Sequence, residues 1–253
     1  MTTLKDNCIL YLVPHTMNHI PDKGIFCVDE DTLDTLNDRV RDWGVNYILA
    51  DRPKHKLVTA SVSRLVVDVE RFLDDSKEEM SKLGMGVIYT QVDGIKIRDD
   101  ISEAERNKLI TDYYIPYHKE VEERTDELLD TFGKAILIDC HSFRGDTNYT
   151  KYKTNEFPQI CIGTDDYHTP DDLIDLVCSV FKSEGYHVKL NVPFSGCMIP
   201  MKYYNKDSRV HGIMIEVNRD MIMPSSQLDM VEISKLRRAM NMLELKVEKY
   251  YCS

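Results

Sequence analysis

Short unbroken apolar runs alternate along this chain with stretches of helical periodicity. That pattern predicts strands buried on both faces of a largely parallel sheet and joined by helices. Cys8–Val13 is the first such run, and Ala135–Ile138 is another. Between them Leu33, Leu36, Val40, Trp43, Tyr47 and Ile48 recur near helical spacing. They predict a helix over Asp31–Leu49 that breaks near Asp42 and Gly44, with Asp42 as an N-cap for its second half. Lys56–Ala60 and Arg64–Val69 read as two further strands, and Gly86–Val92 as part of a hairpin. Ser102-Glu-Ala-Glu105 is a capping box that opens a long helix, interrupted at Pro116 and running to Thr131. Strands are predicted at Gln159–Gly163, His187–Val192 and Arg209–Val217, and helices at Asp171–Ser183 and from about Ser226 to Tyr250. Neither repeats nor linkers interrupt the pattern, which predicts a single domain over residues 1–253.

Composition narrows the classes of function. Hydrophobic residues make up 42% and charged residues 30% of the 253, enough apolar material for a sizeable core. A formal net charge of −11 argues against nonspecific binding to nucleic acid or to acidic membranes, which need a basic surface. No apolar run approaches membrane-spanning length, and the N-terminus has no signal-like core. Seven cysteines are scattered without a C-x-x-C pair, which reads as reduced thiols in a cytoplasmic protein.

The polar residues that interrupt the apolar runs change the picture. The run at Ala135 gives way to Asp139-Cys-His141-Ser142, and the first run leads into Pro14-His15. In open α/β sheets ligands bind at the carboxyl ends of strands. Two such ends that each carry a histidine point to a metal site, since neutral imidazole and carboxylate are the usual zinc ligands. A histidine satisfied by a neighbouring carbonyl is the alternative for either one, and His19 reads as a surface loop residue. Arg71 also follows an apolar run, where its planar fork suits a carboxylate. Glu216 lies in an otherwise apolar strand, so it must be paired, protonated or functional.

Pro14-His15, Ser63-Arg64-x-x-x-Asp68-x-x-Arg71, Asp139-Cys-His141-Ser142, Pro193-Phe-x-Gly196 and Glu216-Val-Asn218-Arg219 occur in an order that resembles the N-formylglutamate amidohydrolase (deformylase) family. Asp42-Trp43 resembles that family's Asp-Trp pair opening a helix. The likeness spans about residues 10 to 222, and its specificity lies in the order of five motifs. That family is similar in turn to the zinc carboxypeptidases. The resemblance therefore implies a three-layer α/β/α sandwich around a mixed, mostly parallel sheet.

It also implies one zinc ion per chain, held by His15, His141 and a carboxylate. Carboxypeptidases place a glutamate three residues after the first histidine, where this chain has Asn18. Asp42 is the expected substitute, with Asn18 or His19 as alternatives. Glu216 is implied as the catalytic base, and Arg64, Arg71, Arg219, Asn218 and Gly196 as substrate-binding residues. Glu70 stands where an asparagine is expected and would repel an anionic substrate unless it is paired or points away. The implied reaction is hydrolysis of N-formylglutamate to glutamate and formate, the last step of one route of histidine breakdown. The partner is a small N-acyl amino acid, and nothing bears on oligomeric state. A zinc-dependent deacylase or carboxypeptidase with another substrate, and a metal-free ligand-binding homologue, are the competing readings.

Overall fold

The computed structural model describes residues 7–145 and 157–252, which divide into two compact units. The first comprises residues up to Leu12, Trp43–Val58 and the chain from Val121 onward. It is built on the sheet. Its strands are β1 (Ile9–Val13), β2 (Leu57–Thr59), β5 (Ala135–Phe143), β6 (Ile160–Gly163), β7 (Val188–Leu190) and β8 (Val210–Asn218). The strand order is β2-β1-β5-β8-β6-β7. β5 lies parallel to β1 and β8, β6 runs antiparallel to β8, and β7 lies parallel to β6. The protein is therefore α/β with a mixed, mostly parallel sheet, as its pattern predicts.

Central strands need apolar residues on both faces, and every residue of β1 and β5 is buried. The helix α5 (Asp171–Ser183) occupies the predicted span and opens with Asp171 and Asp172 in its first turn, where the helix dipole favours anions. It packs against α7 (Met230–Tyr251), which buries Ile233, Leu236, Met240, Leu243 and Val247 and is capped by Asp229. A short helix, α2 (Val45–Ile48), starts from Gly44 at φ +87°. Gly44 is required there, because a Cβ would come within 2.4 Å of Ile222 Cδ1. Gly44, not Asp42, therefore takes the N-cap position.

The second unit comprises Val13–Asp42 and Thr59–Glu120. It holds α1 (Glu30–Val40), a hairpin of β3 (Gln91–Val92) and β4 (Ile95–Lys96), and α3 (Glu103–Leu109). α1 is capped by Asp29, and α3 by the capping box of Ser102 and Glu105. The hairpin turns on Asp93 and Gly94, both at positive φ, the pairing that matches the twist of two-residue hairpins. A π-helical turn (Ile110–Tyr114) connects α3 to α4 (Ile115–Phe132), next to the Pro116 that lacks an N–H for regular pairing. Short α6 (Arg219–Ile222) follows β8 in the first unit.

Three expectations fail for physical reasons. Arg64–Val69 is not a strand: Val66 N–H bonds Ser63 O and Arg71 N–H bonds Asp68 O, so the segment curls through turns. Its apolar run reflects burial without a ladder, since Leu65, Val66, Val67 and Val69 are each no more than 1% exposed. The strand predicted to stop at Ile138 continues to Phe143, because β8 pairs with it residue by residue as far as Asn218. Asp139 and His141 thus lie within the strand. Finally, Cys8 and Cys252 form a disulfide across 244 residues, while Cys27, Cys140, Cys161, Cys178 and Cys197 are free. Among the described residues, no helix is long and apolar enough to cross a membrane.

Closing a loop of 244 residues constrains the unfolded chain, a contribution of about 3–5 kcal/mol. Reduction, or Cys252→Ser, is expected to lower the thermal midpoint by on the order of 10 °C. Calorimetry with and without reductant measures this, and an unchanged midpoint would show that the pair does not form in solution.

Candidate metal centre

Asp68 organises a polar cluster within the second unit. It is fully buried, and its carboxylate accepts five hydrogen bonds. Oδ1 takes His15 Nε2 at 2.8 Å and the Glu70 N–H at 3.0 Å. Oδ2 takes Arg64 Nε and Nη2 at 3.1 and 2.7 Å and the Tyr89 hydroxyl at 2.7 Å. Burial pushes the Asp68 pKa up, but Arg64, His15 and Arg71 outweigh it and hold the carboxyl well below the usual carboxylate range. An ionised carboxylate only accepts, so His15 must carry its proton on Nε2. Its Nδ1 faces two carboxylates, 3.5 Å from Glu70 Oε2 and 3.7 Å from Asp42 Oδ2. Burial and Arg64 lower the His15 pKa, yet Asp68, Glu70 and Asp42 more than offset them and it ends above its ordinary value.

The first unit has its own cluster on β5 and β8. His141 Nε2 lies 2.9 Å from Asp139 Oδ1, two residues back on the same face of the strand, while Asp139 Oδ2 accepts from the Met198 N–H. Glu216 is the direct partner of His141 in the β5–β8 ladder, so the two side chains leave the same face of adjacent strands. Glu216 is 8% exposed. The Ser142 hydroxyl donates to Trp43 O, and Arg219 Nη2 donates to Ser142 O.

In the second unit His15 and Glu70 bring an imidazole and a carboxylate within 3.5 Å of each other, and in the first His141 stands beside Glu216 on the β5–β8 ladder. Two imidazoles and a carboxylate are the donor set of a divalent transition ion such as zinc, and three protein ligands leave a position open. Formal charge agrees: Asp42, Asp68 and Glu70 carry three negative charges against the two positive charges of Arg64 and Arg71. A divalent cation would offset the excess.

Two carboxylates of the second unit are candidates for the acidic ligand. Glu70 Oε2, at 3.5 Å, and Asp42 Oδ2, at 3.7 Å, both face His15 Nδ1, and the Asp42 N–H bonds His15 O at 2.9 Å. Asn18 and His19 are exposed. Glu70 was visible only as a misfit for an anionic substrate, whereas its neighbourhood makes it a ligand candidate. The one sequence signal for it was the missing carboxylate after His15, which obliged some other acid to serve.

The residues expected to bind substrate separate in the same way. Arg64 spends Nε and Nη2 on Asp68, and its Nη1 lies 3.4 Å from Val40 O. Arg71 commits only Nε, to Met85 O at 3.2 Å, and its two terminal nitrogens make no hydrogen bond among the described residues. Asn218 is absorbed by structure, since it caps α6 and donates to Pro158 O. Gly196, at φ +87°, lies in the loop after the cis Val192–Pro193 bond, with its N–H on Thr164 O.

A family model described as N-formylglutamate amidohydrolase matches residues 8–223. The protein is thus of the class of hydrolases that act on carbon–nitrogen bonds, carried on an α/β fold. By this match, which spans most of the sequence, the chain belongs to the N-formylglutamate amidohydrolase family. An N-formylglutamate deformylase of Pseudomonas aeruginosa is 29% identical over 186 residues, 70% of this chain and 68% of that protein. Its counterpart from Pseudomonas putida is 26% identical over 68% of this chain and 65% of its own length. The crystal structure of N-formylglutamate amidohydrolase from Ralstonia eutropha shares the fold with a TM-score of 0.85 at 22% identity, covering 98% of this chain and 95% of that one. A gene product of Agrobacterium tumefaciens matches with a TM-score of 0.70 at 20% identity over 96% and 90% of the two chains.

Losing a buried partner of several cations is costly, about 3–5 kcal/mol. Asp68→Asn is expected to lower stability by that order in urea denaturation. It should also weaken zinc binding, because the amide no longer dictates the His15 tautomer. A variant as stable as the parent would remove Asp68 from the centre of this network.

Proposed function

We propose that the protein is a metal-dependent amidohydrolase that cleaves N-formylglutamate to glutamate and formate. The observations that carry this reading are the buried imidazole–carboxylate pairs His15–Glu70 and His141–Glu216, the donor types of a zinc hydrolase, in a chain of this family. Family membership and the two deformylase relatives support the substrate class.

In this reading His15 and His141 bind a divalent ion through Nδ1, and Glu70 through a carboxylate oxygen. Once bound, the ion supplies Lewis acidity to the amide carbonyl and brings the acidity of water near neutrality. Glu216 takes the proton from the attacking water and passes it to the leaving nitrogen, so that formate and a free amine result. Such proton transfer is worth about 10²- to 10⁴-fold in rate. Arg71 holds a substrate carboxylate with its two uncommitted nitrogens, and Arg64 supports it indirectly by fixing Asp68. The net charge of −11 opposes an acidic substrate only at long range, because salt screens that field within about 8–10 Å.

Glu70 was the reason to favour a different N-acyl substrate. As a metal ligand it is neutralised, and that objection falls.

Elemental analysis should find about one zinc per chain; none in carefully prepared protein would remove the metal-dependent reading. Glu216→Gln is expected to lower kcat for formate release by about 10²- to 10⁴-fold while the metal content stays unchanged. Loss of the metal as well would mean that Glu216 has another role. Arg71→Ala should act chiefly on KM for N-formylglutamate. Across a panel of N-acyl amino acids, faster release from N-acetyl or peptidyl compounds would replace the proposed substrate.

A further inference from the structure

A second cavity, of about 300 Å³, opens at the start of β1, the opposite end of that strand from the one leading to His15. Apolar Ile9, Leu10, Leu128 and Phe132 line it together with charged Lys56, Arg124 and Glu127. The volume is at the lower end of the range for small-molecule sites, about 300–1,000 Å³.

Lys56 belongs to a buried charge cluster with an imbalance. Its Nζ donates to Glu244 Oε1 at 2.9 Å, and Arg52 Nε lies 2.8 Å from Glu244 Oε2. Asn7 and Tyr11 add neutral donors to the same carboxylate, at 3.1 and 3.2 Å. Two cations thus share one anion. Burial raises the Glu244 pKa, but Lys56 and Arg52 together pull it below its ordinary value, which keeps the carboxylate charged. Both cationic side chains are at least nine-tenths buried, and Arg52 Nη2 has no hydrogen-bond partner among the described residues. At the mouth, Arg124 stands 3.7 Å from Glu127, so that pair is formally neutral and leaves the inner excess of one positive charge standing. A buried charge without full compensation is unfavourable, and an anion that reaches Lys56 would relieve it.

We propose that this cavity binds a small monocarboxylate with a compact apolar body, its carboxylate at Lys56 and its body against Ile9, Leu10, Leu128 and Phe132. The apolar wall distinguishes such a ligand from an inorganic anion, and the inner cation distinguishes it from a neutral hydrocarbon. This site does not depend on the reaction proposed above.

Benzoate is the probe, with benzyl alcohol as its neutral counterpart and inorganic phosphate as the plain anion. Saturable binding of benzoate, followed by chemical shifts and by the thermal midpoint, is expected to be at least about tenfold tighter than that of either control. Thr131→Trp, an exposed position on the cavity rim, should fill the space and abolish binding without touching the charge cluster. Arg71→Ala should leave it unchanged, which separates this cavity from the metal centre. Absence of saturation, binding unaffected by Thr131→Trp, loss in Arg71→Ala, or phosphate or benzyl alcohol binding as well as benzoate would each overturn the proposal.

Discussion

A carboxylate removed from water must be surrounded by donors, and the Asp68 side chain is where this protein meets that demand most fully. Five hydrogen bonds from four residues converge on it, and two arginines carry compensating charge. The chemistry of the site follows from that arrangement. A charged Asp68 dictates which nitrogen of His15 is protonated, and therefore which one can bind a metal. It consumes most of the donors of Arg64 and leaves the terminal nitrogens of Arg71 uncommitted. Through the Glu70 N–H it also sets the backbone that carries the candidate carboxylate ligand.

His141 and Glu216 are held by a different device. They are far apart in sequence, yet the backbone pairing of the β5–β8 ladder places them side by side. A parallel ladder buried on both faces has little freedom to slip, since a shift by one residue would turn every side chain to the other face. Chemistry built on such strands is positioned more tightly than chemistry built on loops. Asp139, one turn of the strand pleat before His141, then orients the imidazole through Nε2. Both histidines thus present Nε2 to a carboxylate, by independent local routes.

The charge clusters of the two units answer the cost of burial differently. Around Asp68 the acids exceed the bases, which suits a cation. Around Glu244 the bases exceed the acid, which suits an anion. An overall charge of −11 reports neither, because net charge averages over surfaces that short-range pairs control.

Strands β1, β6 and β8 and helices α5 and α7 were legible from the sequence, because long apolar periodicity survives in any fold that buries those faces. His15, His141, Arg71 and Glu216 were legible as candidates, since polar groups in or just after apolar runs are costly unless used. The closeness of Glu70 to His15, which makes it a candidate ligand, was not legible. Whether an acid binds a metal or repels a substrate depends on what stands within a few ångströms of it, and spacing along the chain carries no such distance. The curl of Arg64–Val69 was hidden for a related reason: its apolar run records burial, which a strand and a packed turn share. The Cys8–Cys252 pairing was hidden by 244 intervening residues. By itself, then, the sequence determined the class of fold and the residue types available for chemistry. Only the tertiary structure decided which of them meet, because contacts between distant residues arise from packing and not from local pattern.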